Sequence, residues 1–289
     1  PLDRLVGKSF AHYELGPVIS RGRTGVIFKS TNRENDATVA VKVLLPRVSS
    51  SEEQRERFVR AMRTMLPLKH PNIIKLHHAG KEKQFCWIAM DYVPGESMRE
   101  VIARLGIRNM LDWRKVWEVA IDIGRALKYA GDRKIVHRNL SPANIICRKD
   151  DSVNLLGDLM LAKATEGNQS FDVTSPGQLV GQLSYMSPER TMSNSDIDAR
   201  SDIYELGATL YALLTGRPPF EAGSQVEQIQ KIRHEKPANP KEFQLAINDQ
   251  FADLVMQMLA NRPQDRFDSA SNMLLDLERV GRFAGLNRA

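Results

Sequence analysis

The stretch His137-Arg138-Asn139-Leu140-Ser141-Pro142-Ala143-Asn144 decides the fold when it is read with the short motifs on either side of it. Two motifs precede it, the glycine-containing turn at 20–27 (Ser-Arg-Gly-Arg-Thr-Gly-Val-Ile) and Val-Ala-Val-Lys at 39–42. The glycine turn is a weak signal, because an ordinary hairpin has the same residues and a dinucleotide fingerprint would run from a strand into a helix. Four motifs follow in order: Asp158-Leu159-Met160, Ser187-Pro188-Glu189, Asp202 within 200–204, and Arg266 within 262–267.

The first ninety or so residues are predicted to form strands and one helix. Residues rich in β-branched side chains occur at 17–19, 25–29 and 38–43, and the turn formers at 32–36 predict a hairpin. Ser50-Ser51-Glu52-Glu53 predicts a capping-box start to a helix that ends before 70–72. Strands are also predicted at 73–76 and 85–90, ahead of a hinge at Pro94-Gly95.

The remainder is predicted to be mainly helical. Asp112 caps one helix, and 203–214 is apolar nearly all round and closed by Gly216, which indicates a buried helix. Amphipathic helices are predicted near 226–232, 251–259 and 270–280. The predicted class is therefore α+β and bilobal, with a small antiparallel β-sheet lobe and one helix at 1–93 and a larger, mainly α-helical lobe at 94–289. The two lobes together make one domain.

Composition limits the classes of function. The net charge is +6, but the basic residues are dispersed among 35 acidic ones, so a nucleic-acid partner does not follow. No apolar run approaches the ~18 residues of a membrane helix, so no membrane contact is expected within this segment. Cys86 and Cys147 lack metal-type spacing, which fits a reducing, cytoplasmic location. The chain begins at Pro1, and we expect a domain cut from a longer protein.

The six ordered motifs beyond the glycine turn resemble those of the protein serine/threonine kinase family, most closely its bacterial branch, from about Tyr13 to Val280. The resemblance implies an ATP site with magnesium. In that site Lys42 would reach the α- and β-phosphates, and Asn144 and Asp158 would hold the metal. The remaining implied nucleotide contacts are Gly22 and Gly25 in the turn, Met90 behind the adenine, Asp91 and Val93 at its edge, and Ile27, Ala40 and Ile146 around the base. An alternative stays open, in which Lys42 and Asp158 pair with each other in an empty cleft.

The catalytic positions depart from the family pattern. By resemblance, Asn139 stands where an active kinase has the Asp that accepts the substrate proton, and an amide cannot accept a proton at neutral pH. Ser141 stands where a Lys would steady the transferring phosphate, and Gln182 replaces a Thr that would bond both neighbours. Because the three positions form one network, their joint loss indicates a degenerate kinase.

Further departures affect the nucleotide half of the implied site. The helix glutamate that would pair with Lys42 falls at Ala61, three residues after Phe58 on the inward face, while Glu56 faces another way. Met160 replaces the glycine of Asp-Phe-Gly and excludes glycine-only backbone angles, and Ser20 replaces the first glycine of the turn.

These departures predict a pseudokinase, that is, a regulatory, scaffolding or protein-binding module with a protein partner and with or without bound nucleotide. The alternative is a weakly active or unconventional serine/threonine protein kinase that transfers the ATP γ-phosphate. A third possibility makes the segment after Asp158 a phosphorylation target, with Arg138 meeting a phosphate at one of Thr165, Ser170, Thr174, Ser175 and Ser184. Four arginines at 55, 57, 60 and 63 form either a patch for an acidic partner or a solvated face.

Overall fold

The computed structural model describes residues 2–22, 24–46, 51–105, 110–159, 183–192 and 197–288. These residues fall into two compact units, and the division lies between Pro94 and Gly95. The first unit contains the described residues up to Pro94. The second contains Gly95–Leu159 and the described residues from 183 onward.

The first unit is built on a six-stranded antiparallel sheet with the strand order β1-β2-β3-β4-β6-β5. Its strands are β1 (Ser9–Phe10), β2 (Tyr13–Arg21), β3 (Gly25–Asn32), β4 (Thr38–Leu44), β5 (Leu76–Glu82) and β6 (Phe85–Asp91). The predicted hairpin across 32–36 is confirmed by the β3–β4 register. The strand predicted at 73–76 is wrong, because Ile73 and Ile74 are buried in the core while the strand that pairs with β6 begins only at Leu76.

The single helix of the first unit, α1 (Glu52–Met65), begins at a capping box, as predicted. The cap is Ser51, and its reciprocal partner is Gln54 rather than an acidic residue. Phe58, Met62 and Met65 are buried, so the apolar stripe read from the sequence faces the protein interior.

The second unit is mainly helical and adds a small three-stranded sheet, β7-β8-β9. The helices are α2 (Met98–Leu105), α3 (Trp113–Gly131), α4 (Ala199–Thr215), α5 (Gln225–His234), α6 (Asp249–Met258) and α7 (Ala270–Phe283). The strands are β7 (Gly95–Ser97), β8 (Ile145–Arg148) and β9 (Asn154–Leu156).

Helix α4 is the centre of the second unit. Its residues 201–215 are all buried, and it ends at Gly216, whose φ of 71° is the left-handed conformation of a helix C-cap. Asp112 accepts the N–H of Arg114 at the start of α3, and Trp117 of that helix donates to the carbonyl of Leu277 at 2.8 Å. The buried helix, the α3 cap and the three amphipathic helices are thus confirmed, and the fold class is the predicted α+β class.

Candidate functional site

Four residues of the implied nucleotide site share one face of the first unit's sheet. Ile27 lies opposite Lys42 across β3 and β4, and Ala40 lies opposite Met90 across β4 and β6. Cross-strand partners share a face, and so do residues two apart on a strand. The opposite face carries the hydrophobic cluster of this unit, to which Val26, Phe28, Val39, Val41 and Val43 belong.

Lys42 is only 3% exposed, and Ala40 and Met90 on the same face are each 6% exposed. A long cationic side chain is buried this deeply only when its charge is compensated. The other buried residues of β4 are all apolar, so burying Lys42 among them is expected to cost stability.

The two glycines of the turn between β2 and β3 differ in whether the sheet requires them. A Cβ on Gly25 would lie 2.4 Å from the Val43 carbonyl oxygen of β4, so the sheet itself excludes any side chain there. A Cβ on Gly22 would have no atom of the described residues closer than 3.7 Å, and Gly22 does not have a positive φ. Its own unit therefore leaves room for a side chain at Gly22.

Asp91 is the last residue of the interior strand β6, and Val93 follows it in the chain. The Asp91 amide donates to the Lys75 carbonyl at 3.0 Å, which leaves the Asp91 carbonyl outside that bond. The Asp91 carboxylate lies 2.7 Å from His77 Nε2. Val93 is half-buried just before the division between the units.

Helix α1 places Ala61 on the half-buried side, beside Phe58 and Met62. Glu56 instead pairs with Arg60 at 3.7 Å, and its side chain is 57% exposed. Glu56 is therefore not aimed into the unit as a substitute for the missing glutamate.

In the second unit, hydrogen bonds from the backbone of residues 137–140 to side chains of helix α4 hold this loop in place. The amides of His137 and Arg138 donate to the Asp202 carboxylate at 2.7 and 2.9 Å, and the amide of Leu140 donates to Glu205 at 2.8 Å. Arg190 donates to the other oxygen of Glu205. The carboxylates that hold this loop are thus separate from the side chains at 139 and 141.

His137 is fully buried and completes this support. Its Nε2 donates to the Gly157 carbonyl at 2.8 Å, and its Nδ1 accepts the Asn139 amide at 3.2 Å, which fixes a neutral tautomer. Burial lowers the pKa of His137 to about 4. Burial, with the neighbouring Glu205, raises the pKa of Asp202 to about 7.

Asn144 and Asp158 have local structures that suit metal ligands. The Asn144 side-chain amide donates to the Asn139 carbonyl at 2.7 Å, so its oxygen is the atom left to face a cation. Asp158 has a φ of 57°, a left-handed conformation that Asp tolerates better than most residues. In the part of the chain that the structure describes, no group of three or more His, Cys, Asp or Glu side chains could hold a metal. A magnesium ion here would therefore take further ligands from nucleotide phosphates and water, as magnesium commonly does.

The positions of Asn139 and Ser141 lie within the same loop. Asn139 is half-buried and its carbonyl accepts the bond from Asn144. Ser141 is 5% exposed, and its hydroxyl has no hydrogen-bond partner among the described residues. Neither side chain is used to hold the loop, and neither can accept a proton at neutral pH.

A buried contact fixes strands β8 and β9, which lie between Asn144 and Asp158. Asp122 of α3 accepts both the backbone and the side-chain N–H of Asn154, at 2.9 and 2.8 Å. Arg288 binds the same carboxylate at 3.1 and 2.6 Å. Ile146 lies on β8, one of the two strands that this contact holds in place.

Burial also bears on the motif residues Glu189 and Arg266 and on the candidate phosphorylation target Ser184. Glu189 and Arg266, from two of the motifs, form a buried pair at 2.8 and 2.9 Å, and although burial favours the neutral acid, Arg266 holds the pKa of Glu189 below its usual value. Ser184 is 8% exposed, which disfavours it as a phosphorylation target. Met160, Gln182 and the other four candidate hydroxyls lie outside the described residues.

Sequence reasoning missed several residues that shape the site. Glu205, Asp122 and Arg288 act through contacts with residues 65, 32 and 166 positions away, and no local pattern signals such contacts. A fully buried Glu on an apolar helix was the one available sign, since such a residue needs a partner.

Comparisons with known proteins agree on one family. A model described as "Protein kinase domain" matches residues 13–276. The "Probable serine/threonine-protein kinase SCO3848" of Streptomyces coelicolor is 32% identical over 270 residues, which are 92% of this chain and 39% of that protein. "Serine/threonine-protein kinase PknB" of Mycobacterium tuberculosis is 30% identical over 272 residues, covering 93% of this chain and 42% of that protein. The chain thus spans about two fifths of the length of these relatives.

Among solved structures, a crystal structure of the Mycobacterium tuberculosis PknI kinase domain matches with a TM-score of 0.74 and 26% identity. The match covers 97% of this chain and 99% of that one.

Proposed function

Because this chain belongs to the protein kinase family, we propose that it binds ATP with magnesium and acts as a regulatory, protein-binding module whose phosphotransfer is impaired. Lys42 suits phosphate oxygens, and the oxygens of Asn144 and Asp158 suit magnesium. When bound, magnesium would neutralise charge on the nucleotide phosphates. The room left at Gly22 supports close approach of the backbone by a ligand.

The observation that carries the impairment is Asn139. Its backbone takes part in the loop through the bonds to His137 and Asn144, while its side chain is an amide that cannot accept a proton. Losing a general base typically costs ~10²–10⁴ in rate, and losing one charge stabiliser, as at Ser141, ~10²–10³. Residues that act as one unit are not additive, so these factors are not multiplied.

A second candidate function is a weakly active serine/threonine protein kinase. The relatives at 30% and 32% identity carry that activity in their names, and on the comparisons alone this candidate is the better supported. Phosphoryl transfer depends largely on positioning and electrostatics, so a loop held as firmly as 137–144 supports residual transfer. The substitutions at Asn139, Ser141 and Ala61 support the first candidate.

The test of nucleotide binding is the thermal shift of the purified domain with ATP, with magnesium and with both, beside Lys42→Met. Binding at 100 times Kd stabilises by about 2.7 kcal/mol, so a clear upward shift is expected with both ligands together. Lys42→Met should abolish it. Lys236→Met is the matched control, because Lys236 is exposed and lies in the second unit.

No shift at millimolar ATP with magnesium would contradict the nucleotide half of the proposal. The search would then turn to protein partners alone. A shift that survives Lys42→Met would also contradict it, since the binding would not use the implied site.

A further inference from the structure

A cavity of about 560 Å³ lies wholly within the second unit. It is open to solvent and is lined by β7, β8, α2 and the first turns of α3, on residues that the implied nucleotide site does not include. Its volume is within the range of small-molecule sites, roughly 300–1,000 Å³. The lining that decides its chemistry is apolar and consists of Met98, Val101, Leu111, Val119 and Cys147.

The rim of the cavity is charged, and most of its charges are already paired. Arg104 binds Glu96 through two hydrogen bonds of 3.1 and 2.9 Å, and Lys115 lies 3.2 Å from Glu118. Lys149 completes the rim and makes no ion pair with any described residue.

Two further arginines, one lining the cavity and one nearby, are also paired with carboxylates. Arg148 binds Asp151 at 2.9 and 2.6 Å, and Arg288 is held chiefly by the buried Asp122. Of the four cations that line the cavity, three are thus paired with carboxylates, and Lys149 is the one without an ion pair among the described residues.

We propose that this cavity binds a small amphipathic monoanion, an apolar acyl or aryl body that carries one carboxylate. The body would cover the half-buried Leu111 and Cys147, over a floor formed by the buried Met98, Val101 and Val119, and the carboxylate would reach Lys149. A nucleotide di- or triphosphate does not fit, because a single uncompensated cation cannot balance its charge. This site is independent of nucleotide binding.

A protein segment fits the cavity less well. Docking faces for protein partners usually present large apolar side chains to solvent. The large exposed apolar residues of the described chain, among them Val226, Leu245, Leu275 and Phe283, do not line this cavity. Its apolar atoms lie in a concavity instead, which suits a small ligand.

The two cysteines give a direct probe of occupancy. Cys147 is half-exposed and lines the cavity, whereas Cys86 is fully buried. Burial raises the pKa of the Cys147 thiol, so its labelling by a disulfide reagent is best followed at mildly alkaline pH. Cys147→Ser measures the background from Cys86.

The experiment measures how fast Cys147 is labelled in the whole domain as decanoate is added, with decanol as the neutral comparison. We expect decanoate to slow labelling saturably and decanol to do so much more weakly. Lys149→Glu should weaken protection by roughly tenfold, as the loss of a charge-assisted contact does. Lys236→Glu, on a distant exposed lysine, should leave protection unchanged.

A second measurement avoids the thiol. Decanoate should raise the melting temperature of Cys147→Ser but not of Val101→Trp, which fills the cavity; circular dichroism verifies that Val101→Trp is folded. Absence of protection and of stabilisation by decanoate would overturn the proposal. Equal protection by decanol would overturn the role of Lys149, and protection only by an acidic, leucine-containing peptide would assign the cavity to a protein segment instead.

Discussion

At the scale of single residues, the groups that hold the backbone of the loop 137–144 differ from the side chains that stand at its implied catalytic positions. Asp202 and Glu205 hold its backbone, and His137 links it to Gly157, while the side chains at 139 and 141 take no part in that support. A substitution at 139 or 141 can therefore change the chemistry of the loop and leave its conformation intact.

The buried His137 predicts a specific pH dependence. Because its pKa is about 4 in the folded protein against 6.5 in the unfolded chain, its contribution to stability is present above pH 6.5 and is lost as the pH falls toward 4. At pH 5 the unfolded chain binds a proton that the folded protein does not, which costs about 2 kcal/mol.

His137→Gln lacks this titration. Urea unfolding of both proteins at pH 7.5 and pH 5 should show the stability advantage of the wild type shrinking by about 2 kcal/mol at the lower pH. Asp202, whose pKa of about 7 acts in the opposite direction, is present in both proteins and subtracts out. An advantage that is equal at the two pH values would contradict the neutral, buried histidine.

At the scale of elements, the β2–β3 turn combines a glycine that the sheet requires with one that it does not. Gly25→Ala would force a Cβ to within 2.4 Å of the Val43 carbonyl and should lower the free energy of unfolding by ~1–3 kcal/mol. Gly22→Ala should change it by less than ~0.5 kcal/mol. Urea midpoints at constant slope measure both.

The same pair of variants tests the function of the turn. If the turn approaches phosphate, Gly22→Ala should reduce the ATP–magnesium thermal shift while the stability of the free domain stays the same. A full shift in Gly22→Ala would show that the backbone at Gly22 does not approach the nucleotide.

The elements that sequence predicted are those with a strong local pattern. The buried helix α4 is apolar on all sides, and β3 and β4 are rich in β-branched residues. Strand β5 was misplaced because Leu76–Glu82 contains two histidines, a glycine and charged residues, and it forms a strand only through pairing with β6. Strands β7 and β9 are three residues long, too short to show alternation.

For the candidate site, the sequence indicated the types of residue but not the contacts that hold them in place. The common face of Ile27, Ala40, Lys42 and Met90 follows from alternation once the register of β3, β4 and β6 is known. The Asp122–Arg288 contact and the cavity beside α2 depend on tertiary packing and have no local signature.

At the scale of the whole molecule, charged side chains of the described residues form many local ion pairs. They do not form a large surface of one charge that would attract an oppositely charged partner. The α1 arginines at 55, 57 and 60 bind glutamates of the same helix at 2.8, 3.2 and 3.7 Å, which supports a solvated face over an acidic-partner patch. Among the described residues, no helix is both long and apolar enough to cross a membrane.

The buried ion pair Glu189–Arg266 should affect the stability of the whole domain. Glu189→Ala would leave Arg266, whose side chain is 0% exposed, without its carboxylate, and it should cost ~3–5 kcal/mol in the free energy of unfolding. Arg262→Ala removes the exposed Arg262–Asp265 pair nearby and should cost less than ~1 kcal/mol. Chemical denaturation compares them, and similar costs for both variants would contradict the structural role of the buried pair.

The most direct test of the central claim is single-turnover transfer of the ATP γ-phosphate to serine/threonine peptides and to the domain itself. The wild type is compared with Asn139→Asp and with the triple variant Ala61→Glu, Asn139→Asp, Ser141→Lys. We expect the wild type to be slower than the triple variant by ~10²–10⁴, with an ATP–magnesium thermal shift in both proteins. A wild-type rate of ~1–100 s⁻¹, typical of active kinases, would contradict the impairment and establish the serine/threonine kinase instead.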